Sequence, residues 1–86
     1  MFYVYILKSI NFPDQAYIGC TNNLRDRLAT HNAGQSVHTN KYKPWAVEAY
    51  VAIKDKNAAF DFEQYLKSSS GRQFINKRLI GSTRPM

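Results

Sequence analysis

Apolar and polar positions follow two periods along this chain. Phe2, Val4 and Ile6 fall on one side of an extended stretch, and Tyr3, Tyr5 and Leu7 on the other. Phe2 to Lys8 therefore reads as a strand that is apolar on both faces, which predicts helices packed on each side. Ser9 to Asp14 is a loop with Pro13-Asp14 as its turn signal. Gln15 to Thr21 returns as a second strand, and so short a connection implies an antiparallel hairpin. Tyr5 and Tyr17 then stand on neighbouring strands, in a register the pattern leaves open. Gly19, near the end of that strand, marks a bulge, packing room for a helix or a close approach by another group.

After Thr21 the period becomes helical. Thr21, Asn22 and Asn23 are helix-capping residue types, and Leu24, Arg27, Leu28 and His31 follow at i, i+3, i+4 and i+7, on one face. Gly34 suits a left-handed cap. Gln35 to Pro44 is a polar loop carrying His38, Lys41 and Lys43. Trp45 to Ile53 is a third strand with Glu48 as its only charge, and Trp45 is expected to anchor the core. Asp55 or Asn57 caps a second helix whose apolar stripe is Ala58, Ala59, Phe62, Tyr65 and Leu66, with Asp61 and Glu63 at its two edges. Ser68 to Gly71 is expected to break that helix, and Arg72 to Leu79 to form a short third one with Phe74, Ile75 and Leu79 inward. The expected architecture is α/β (α+β): one domain over residues 1–80, a small three-stranded antiparallel sheet flanked by helices, and a frayed tail at 81–86.

Composition narrows the class. An 86-residue chain that is 44% hydrophobic has room for one core and is not disordered. A net charge of +6 favours a polyanionic partner, nucleic acid above all, although basicity also serves solubility. The single cysteine, Cys20, excludes an internal disulfide and suggests a reducing, cytoplasmic setting. Met1 to Leu7 is too short for a signal h-region or a membrane span.

The candidate chemistry lies where the patterns conflict. A face that should be purely apolar carries Arg27 and His31. Either they point at the strand pair, where a phosphate could be held, or Arg27 lays its stem on the core and His31 is a satisfied helix-end histidine. Lys41 and Lys43 could contact phosphates, or belong to a solvated connection. Periodicity does not choose between Asp61 and Glu63 as a functional carboxylate. A Cys20–His31 nucleophile lacks an orienting partner.

With these residues in order, the chain resembles the GIY-YIG nuclease superfamily, in particular its small stand-alone members. Tyr3-Val4-Tyr5 corresponds to the first motif, with Tyr3 in place of glycine, and Tyr17-Ile18-Gly19 matches the second letter for letter. Arg27 stands at the motif arginine, His31 one turn later, and Glu63 at the family glutamate on a later helix. The resemblance implies a GIY-YIG-like fold and a divalent-metal-dependent endonuclease acting on nucleic acid, most simply DNA. It implies that Tyr5 activates or aligns the attacking water, that Tyr17 orients the water or Tyr5, and that Arg27 clamps a phosphate oxygen. It further implies that His31 hydrogen-bonds a phosphate or a tyrosine hydroxyl, and that Glu63 holds one Mg²⁺ or Mn²⁺ ion. Gly19, Lys41, Lys43 and Asn76 are the expected substrate-contacting positions. No attached DNA-binding segment is expected, so cutting should select shape more than sequence. The rival reading is a non-catalytic nucleic-acid-binding module of the same fold; a purely structural domain would leave Arg27 and His31 unexplained.

Overall fold

The structure is a computed structural model and describes residues 1–80; the expected tail at 81–86 lies outside them. Strand β1 (Phe2–Ser9) is central, flanked by β2 (Ala16–Thr21) and β3 (Trp45–Ile53), both antiparallel to it. Its two apolar faces are both covered, as the sequence requires. Val4 and Ile6 meet Ala59, Leu66 and Ile75 from the C-terminal helices. Tyr5 and Leu7 meet Trp45 on the other face, with Leu24 and Leu28 of helix α1 (Leu24–Asn32) packed against them. The sheet is thus sandwiched between α1 and a layer made of α2 (Lys56–Leu66), α3 (Ser69–Phe74) and a π-helical segment, Ile75–Ile80.

Register decides what reaches the α1 side. Tyr5 lies opposite Gly19 and Leu7 opposite Tyr17, so Tyr5, Tyr17 and Gly19 share that face. On the β3 side the pairing slips between Ile6 and Leu7: Ile6 faces Ala49, but Leu7 faces Val47. Glu48 is the extra residue. Without this bulge an unbroken register would set Glu48 against Leu7, a carboxylate against a fully buried leucine.

The helix ends follow local chemistry. Asn23 caps α1 by accepting from the Asp26 amide, and Asp55 caps α2 by accepting from the Ala58 amide. Gly34 has φ +79°, the left-handed value expected of it. The loop after α1 contains one 3₁₀ turn, Asn40–Tyr42. Two expectations are corrected. The Ser68–Gly71 stretch does not simply break a helix: Ser68 caps α3, and Gly71 lies inside it, buried. A β-carbon at Gly71 would fall 2.5 Å from Leu66 Cα, so the glycine is there to let α3 cross the end of α2. The stripe of α2 is also narrower than its pattern, because Ala59 and Leu66 are buried whereas Ala58 and Tyr65 are exposed. No helix among the described residues is long and apolar enough to cross a membrane.

Candidate active site

Tyr5 is held by β1, the best-buried strand, and is 1% exposed. Gly19 opposite it has no side chain, and the Tyr5 ring lies over the vacated space. A β-carbon at Gly19 would land on the Tyr5 hydroxyl, 2.5 Å from Cζ, and 3.1 Å from Tyr17 Cε2. Of the roles open to Gly19 from its position, close approach is the one realised. Tyr5 thereby extends across β2, an edge strand.

Helix α1 brings the next two groups. His31 is fully buried, and its Nε2 shares a 3.2 Å hydrogen bond with the Tyr5 hydroxyl. Its other ring nitrogen, Nδ1, lies 2.7 Å from Thr39 Oγ1. Tyr17 packs against the same imidazole, with ring centroids 4.9 Å apart, and 6.3 Å from the Tyr5 ring. Of the two readings for His31, the tyrosine contact is therefore the structural one: at zero exposure the ring does not reach a phosphate. Arg27, one turn earlier and partly exposed, lies beside the Tyr5 and Tyr17 hydroxyls.

Glu63 comes from the opposite layer. Its carboxylate is 14% exposed and pairs with Lys67 Nζ at 3.2 Å across one helical turn. Its charge acts on both Cys20, which faces α2, and Tyr5, which faces α1. Tyr5, Tyr17, Arg27 and His31 are thus brought together on the α1 side of β2, while Glu63 stands in the opposite layer. Asp61, the other candidate carboxylate, is exposed at the far edge of the stripe.

The electrostatics follow from burial. Desolvation pushes the Tyr5 phenol above its ordinary pKa; Arg27 opposes this, and the Tyr17 and Glu63 charges add to it. Tyr5 is a neutral phenol at pH 7. His31 is pushed below its ordinary value by burial and then by the Arg27 charge, so its imidazole is neutral. Arg27 is raised by the Tyr5 hydroxyl beside it, so its guanidinium stays charged. Cys20 is raised by burial and by Glu63, which makes it a poor nucleophile; it faces the layer opposite His31.

The four expected substrate contacts divide. Gly19 is within the cluster. Lys41 and Lys43 are exposed on the loop that follows α1, Lys41 over the Tyr42 ring at 5.5 Å and Lys43 donating to Asn40 Oδ1 at 2.9 Å. Asn76 is apart from Tyr5: it lines a cavity of about 390 Å³ with Ile6, Asp14 and Arg72, on the α3 side of the sheet.

Three supporting residues were not anticipated in these roles. Thr39, fully buried, receives His31. Asn32 Oδ1 accepts from the Trp45 amide at 2.5 Å, and Asn32 Nδ2 donates to the Trp45 carbonyl at 3.1 Å. Trp45 Nε1 in turn donates to the Thr39 carbonyl at 2.8 Å. A threonine in a polar loop and an asparagine at the end of a helix carry no periodic signal; only the tertiary contact reveals them.

The model of the GIY-YIG catalytic domain matches residues 1–78. A UPF0213 protein of Streptococcus pyogenes serotype M3 is 34% identical over 71 residues, 81% of this chain and 75% of that protein. The structure-specific endonuclease subunit SLX1 of Candida dubliniensis is 37% identical over 90 residues, covering 94% of this chain but 32% of that protein. The SLX1 subunit of Debaryomyces hansenii is 35% identical over 83 residues, 88% of this chain and 24% of that protein. Matched over nearly its whole length, with the motif tyrosines, glycine, arginine and histidine gathered around one edge strand and the glutamate in the layer opposite, the chain belongs to the GIY-YIG catalytic-domain family.

Proposed function

We propose that the protein is an endonuclease that hydrolyses phosphodiester bonds in DNA with one divalent ion, Mg²⁺ or Mn²⁺. The observation that carries this reading is the Tyr5 hydroxyl, held over Gly19 with Arg27 and His31 beside it and Glu63 close enough for its charge to act there. Hydrolysis needs a positioned water, a proton acceptor and positive charge at the phosphate. Tyr5, a neutral phenol, orients the attacking water through its oxygen and takes the water's proton as it releases its own hydroxyl proton to solvent, which protonates the departing alkoxide; Tyr17 completes the placement, and such roles supply about 10²–10⁴-fold. Arg27, charged and partly exposed, presents its fork of donors to a phosphate oxygen. Lys41 and Lys43 on the exposed loop serve flanking phosphates.

The residues present fit a hard divalent ion. Among the described residues no group of three or more His, Cys, Asp and Glu could cage a metal, which rules out an all-protein Zn²⁺-type centre there. A single carboxylate, completed by water and phosphate, is how Mg²⁺ is ordinarily held, and Glu63 would be that carboxylate. When bound, the ion supplies positive charge to the phosphate and the departing alkoxide. Lys67 is then the counter-ion that holds Glu63 in its absence.

Two of the similar proteins carry the name structure-specific endonuclease subunit, which supports branched DNA as the first substrate to try. A cytoplasmic setting suits the single free cysteine. The test is cleavage of labelled single-stranded, duplex and branched DNA with Mg²⁺, Mn²⁺ or EDTA, comparing wild type with Tyr5→Phe and Glu63→Ala. Metal-dependent cutting that both substitutions reduce by about a hundredfold or more is expected. Cutting that survives both would overturn the site; binding to every substrate without cutting would favour a non-catalytic module.

A further inference from the structure

Helix α1 covers only part of its face of the sheet. Tyr3, Tyr5 and Leu7 of β1 point to that face, with Tyr50 of β3 directly across from Tyr5 and Val47 across from Leu7. The helix has nine residues, about 14 Å of rise, and its Leu24 and Leu28 pack over the cluster that holds Tyr5 and Leu7. Tyr3 and Tyr50 lie beyond that cover. Their rings meet edge to face, with centroids 5.9 Å apart and planes at 65°, and Tyr50 stays 56% exposed. A lone exposed tyrosine on an edge strand needs no explanation. These two, however, form one wall of an open groove of about 510 Å³, with Leu24 and Val47 in its lining and Asn22 and Arg25 beside them.

The lining selects its occupant. Aromatic rings and an apolar floor suit a flat ring, and a guanidinium suits an anion attached to it. Among the described residues no carboxylate lines the groove to compete for Arg25. The Asn23 side chain is committed to Asp26 at the helix cap, so Asn22 is the amide that can meet a heterocycle edge with both donor and acceptor. A second copy of the chain would bring its own +6 charge toward Arg25. A flat heterocycle joined to a phosphate satisfies every part of the lining.

We propose that this groove stacks an unpaired nucleobase of the DNA substrate against Tyr50 and Tyr3, with Arg25 on the adjoining phosphate. The proposal rests on the nuclease reading and deepens it, because it names the substrate as DNA with at least one base out of the helix near the cut. Bases inside a duplex are already stacked on one another and reach such a groove only by being extruded. Position supports the link to the candidate site. Tyr3 precedes Tyr5 by two residues on the same strand face, about 7 Å away. Arg25 and Arg27 are two residues apart, hence about 200° apart around α1. Arg27 serves the Tyr17 side on β2, and Arg25 the Tyr50 side on β3. A strand crossing beneath the start of α1 would meet both. The proposal also gives a role to Tyr3, which stands where the first motif has glycine: a glycine there would leave Tyr50 without the ring it packs on.

The experiment is equilibrium binding of labelled DNA to the full chain in EDTA, where no cleavage is needed. The probes are a thymidine oligomer, the same oligomer with abasic sites, and a blunt duplex of equal length. Tyr50→Ala should weaken binding of the oligomer by about tenfold, and Tyr50→Phe should bind it like wild type, because the ring is what stacks. Neither should change binding of the blunt duplex, and Tyr50→Ala should add no loss on the abasic oligomer, whose stacking partner is already gone. Arg25→Gln should weaken the oligomer and remove about one phosphate contact from the salt dependence of its affinity. In a second measurement on wild type, an oligomer carrying 5-iododeoxyuridine is photocrosslinked and the attachment point is found by mass spectrometry; Tyr50 or Tyr3 is expected. Equal losses on oligomer and duplex in Tyr50→Ala would overturn the proposal, and so would crosslinks confined to the loop of Lys41 and Lys43. Tyr50-dependent binding by a protein that cleaves no substrate would keep the stacking site and remove the nuclease reading. Metal-dependent cleavage by a Tyr50→Ala protein with unchanged affinity for the oligomer would do the reverse.

Discussion

Replacing Gly19 by alanine adds one methyl group at the most crowded point of the candidate site. The new carbon would lie 2.5 Å from Tyr5 Cζ, whereas nonbonded carbons rest at about 3.5–4.0 Å, so the ring has to retreat by about 1 Å. The Tyr5–His31 hydrogen bond, 3.2 Å long, is already at the long end of the range and does not keep its geometry through a shift of that size. The backbone has little freedom to help, because Tyr5 and Gly19 are paired across the central ladder. Misplacement by 1 Å is enough to cost about a hundredfold in rate, and overpacking of this kind costs about 1–3 kcal/mol of stability. The assay is the initial rate of DNA cleavage at saturating metal, normalised to folded protein by near-ultraviolet circular dichroism, with DNA affinity measured in parallel. Affinity should change little, since Lys41 and Lys43 are untouched. A folded Gly19→Ala protein that cleaves within about threefold of wild type, well under 1 kcal/mol of barrier, would refute the claim that Tyr5 needs this vacancy.

Other substitutions separate structure from chemistry. Gly71→Ala should destabilise by about 1–3 kcal/mol or more in denaturant titration, because its β-carbon meets the backbone of Leu66, yet leave the rate per folded molecule near wild type. Asn32→Ala strips both partners from the Trp45 backbone and should cost about 1–3 kcal/mol in the same titration, together with a loss of loop protection in hydrogen exchange. Glu63→Gln should abolish metal-dependent cleavage while changing stability by less than about 1 kcal/mol, because the pair it breaks with Lys67 is a partly exposed helical one. Stability should also report His31. Its folded pKa is depressed, so below its unfolded value of about 6.5 the unfolded chain gains a proton the folded one refuses. That contribution is complete above this value and is lost as pH falls toward the folded pKa, at no more than about 1.4 kcal/mol per pH unit. His31→Gln should show a shallower loss between about pH 7 and 5.5, and equal slopes for the two proteins would contradict a buried neutral imidazole.

The strands and helices were legible because their periods were clean. A strand apolar on both sides demanded two covering layers, and both are present. The position of Gly34 announced its left-handed cap. The helical spacing of Arg27 and His31 exposed a conflict, and the structure resolves it by turning both toward Tyr5. What stayed hidden depends on contacts between distant segments. The bulge that turns Glu48 away from Leu7 is a property of pairing, not of either strand alone. Gly71 reads as punctuation in the sequence, yet it is packing space for a helix crossing. Periodicity also could not assign Glu63, since its neighbour Asp61 has equal standing on the helix wheel; the distinction lies in which edge of α2 faces β2.

The same logic explains why so small a chain can hold such a site. In the proposed reaction a buried tyrosine needs rigid partners, and a three-stranded sheet offers few interior positions. Here the partners are supplied by one helix and the loop that follows it. Arg27 and His31 come from α1, and Thr39 from the loop, with Asn32 and Trp45 fastening that loop to the helix end. Leu24 and Leu28 on the same helix face bury the ring that Arg27 and His31 then address. Packing and chemistry are thus interleaved along a single face at helical spacing. A substitution on that face should rarely affect stability alone or rate alone. Gly71, on the far layer, is the position where the two come apart.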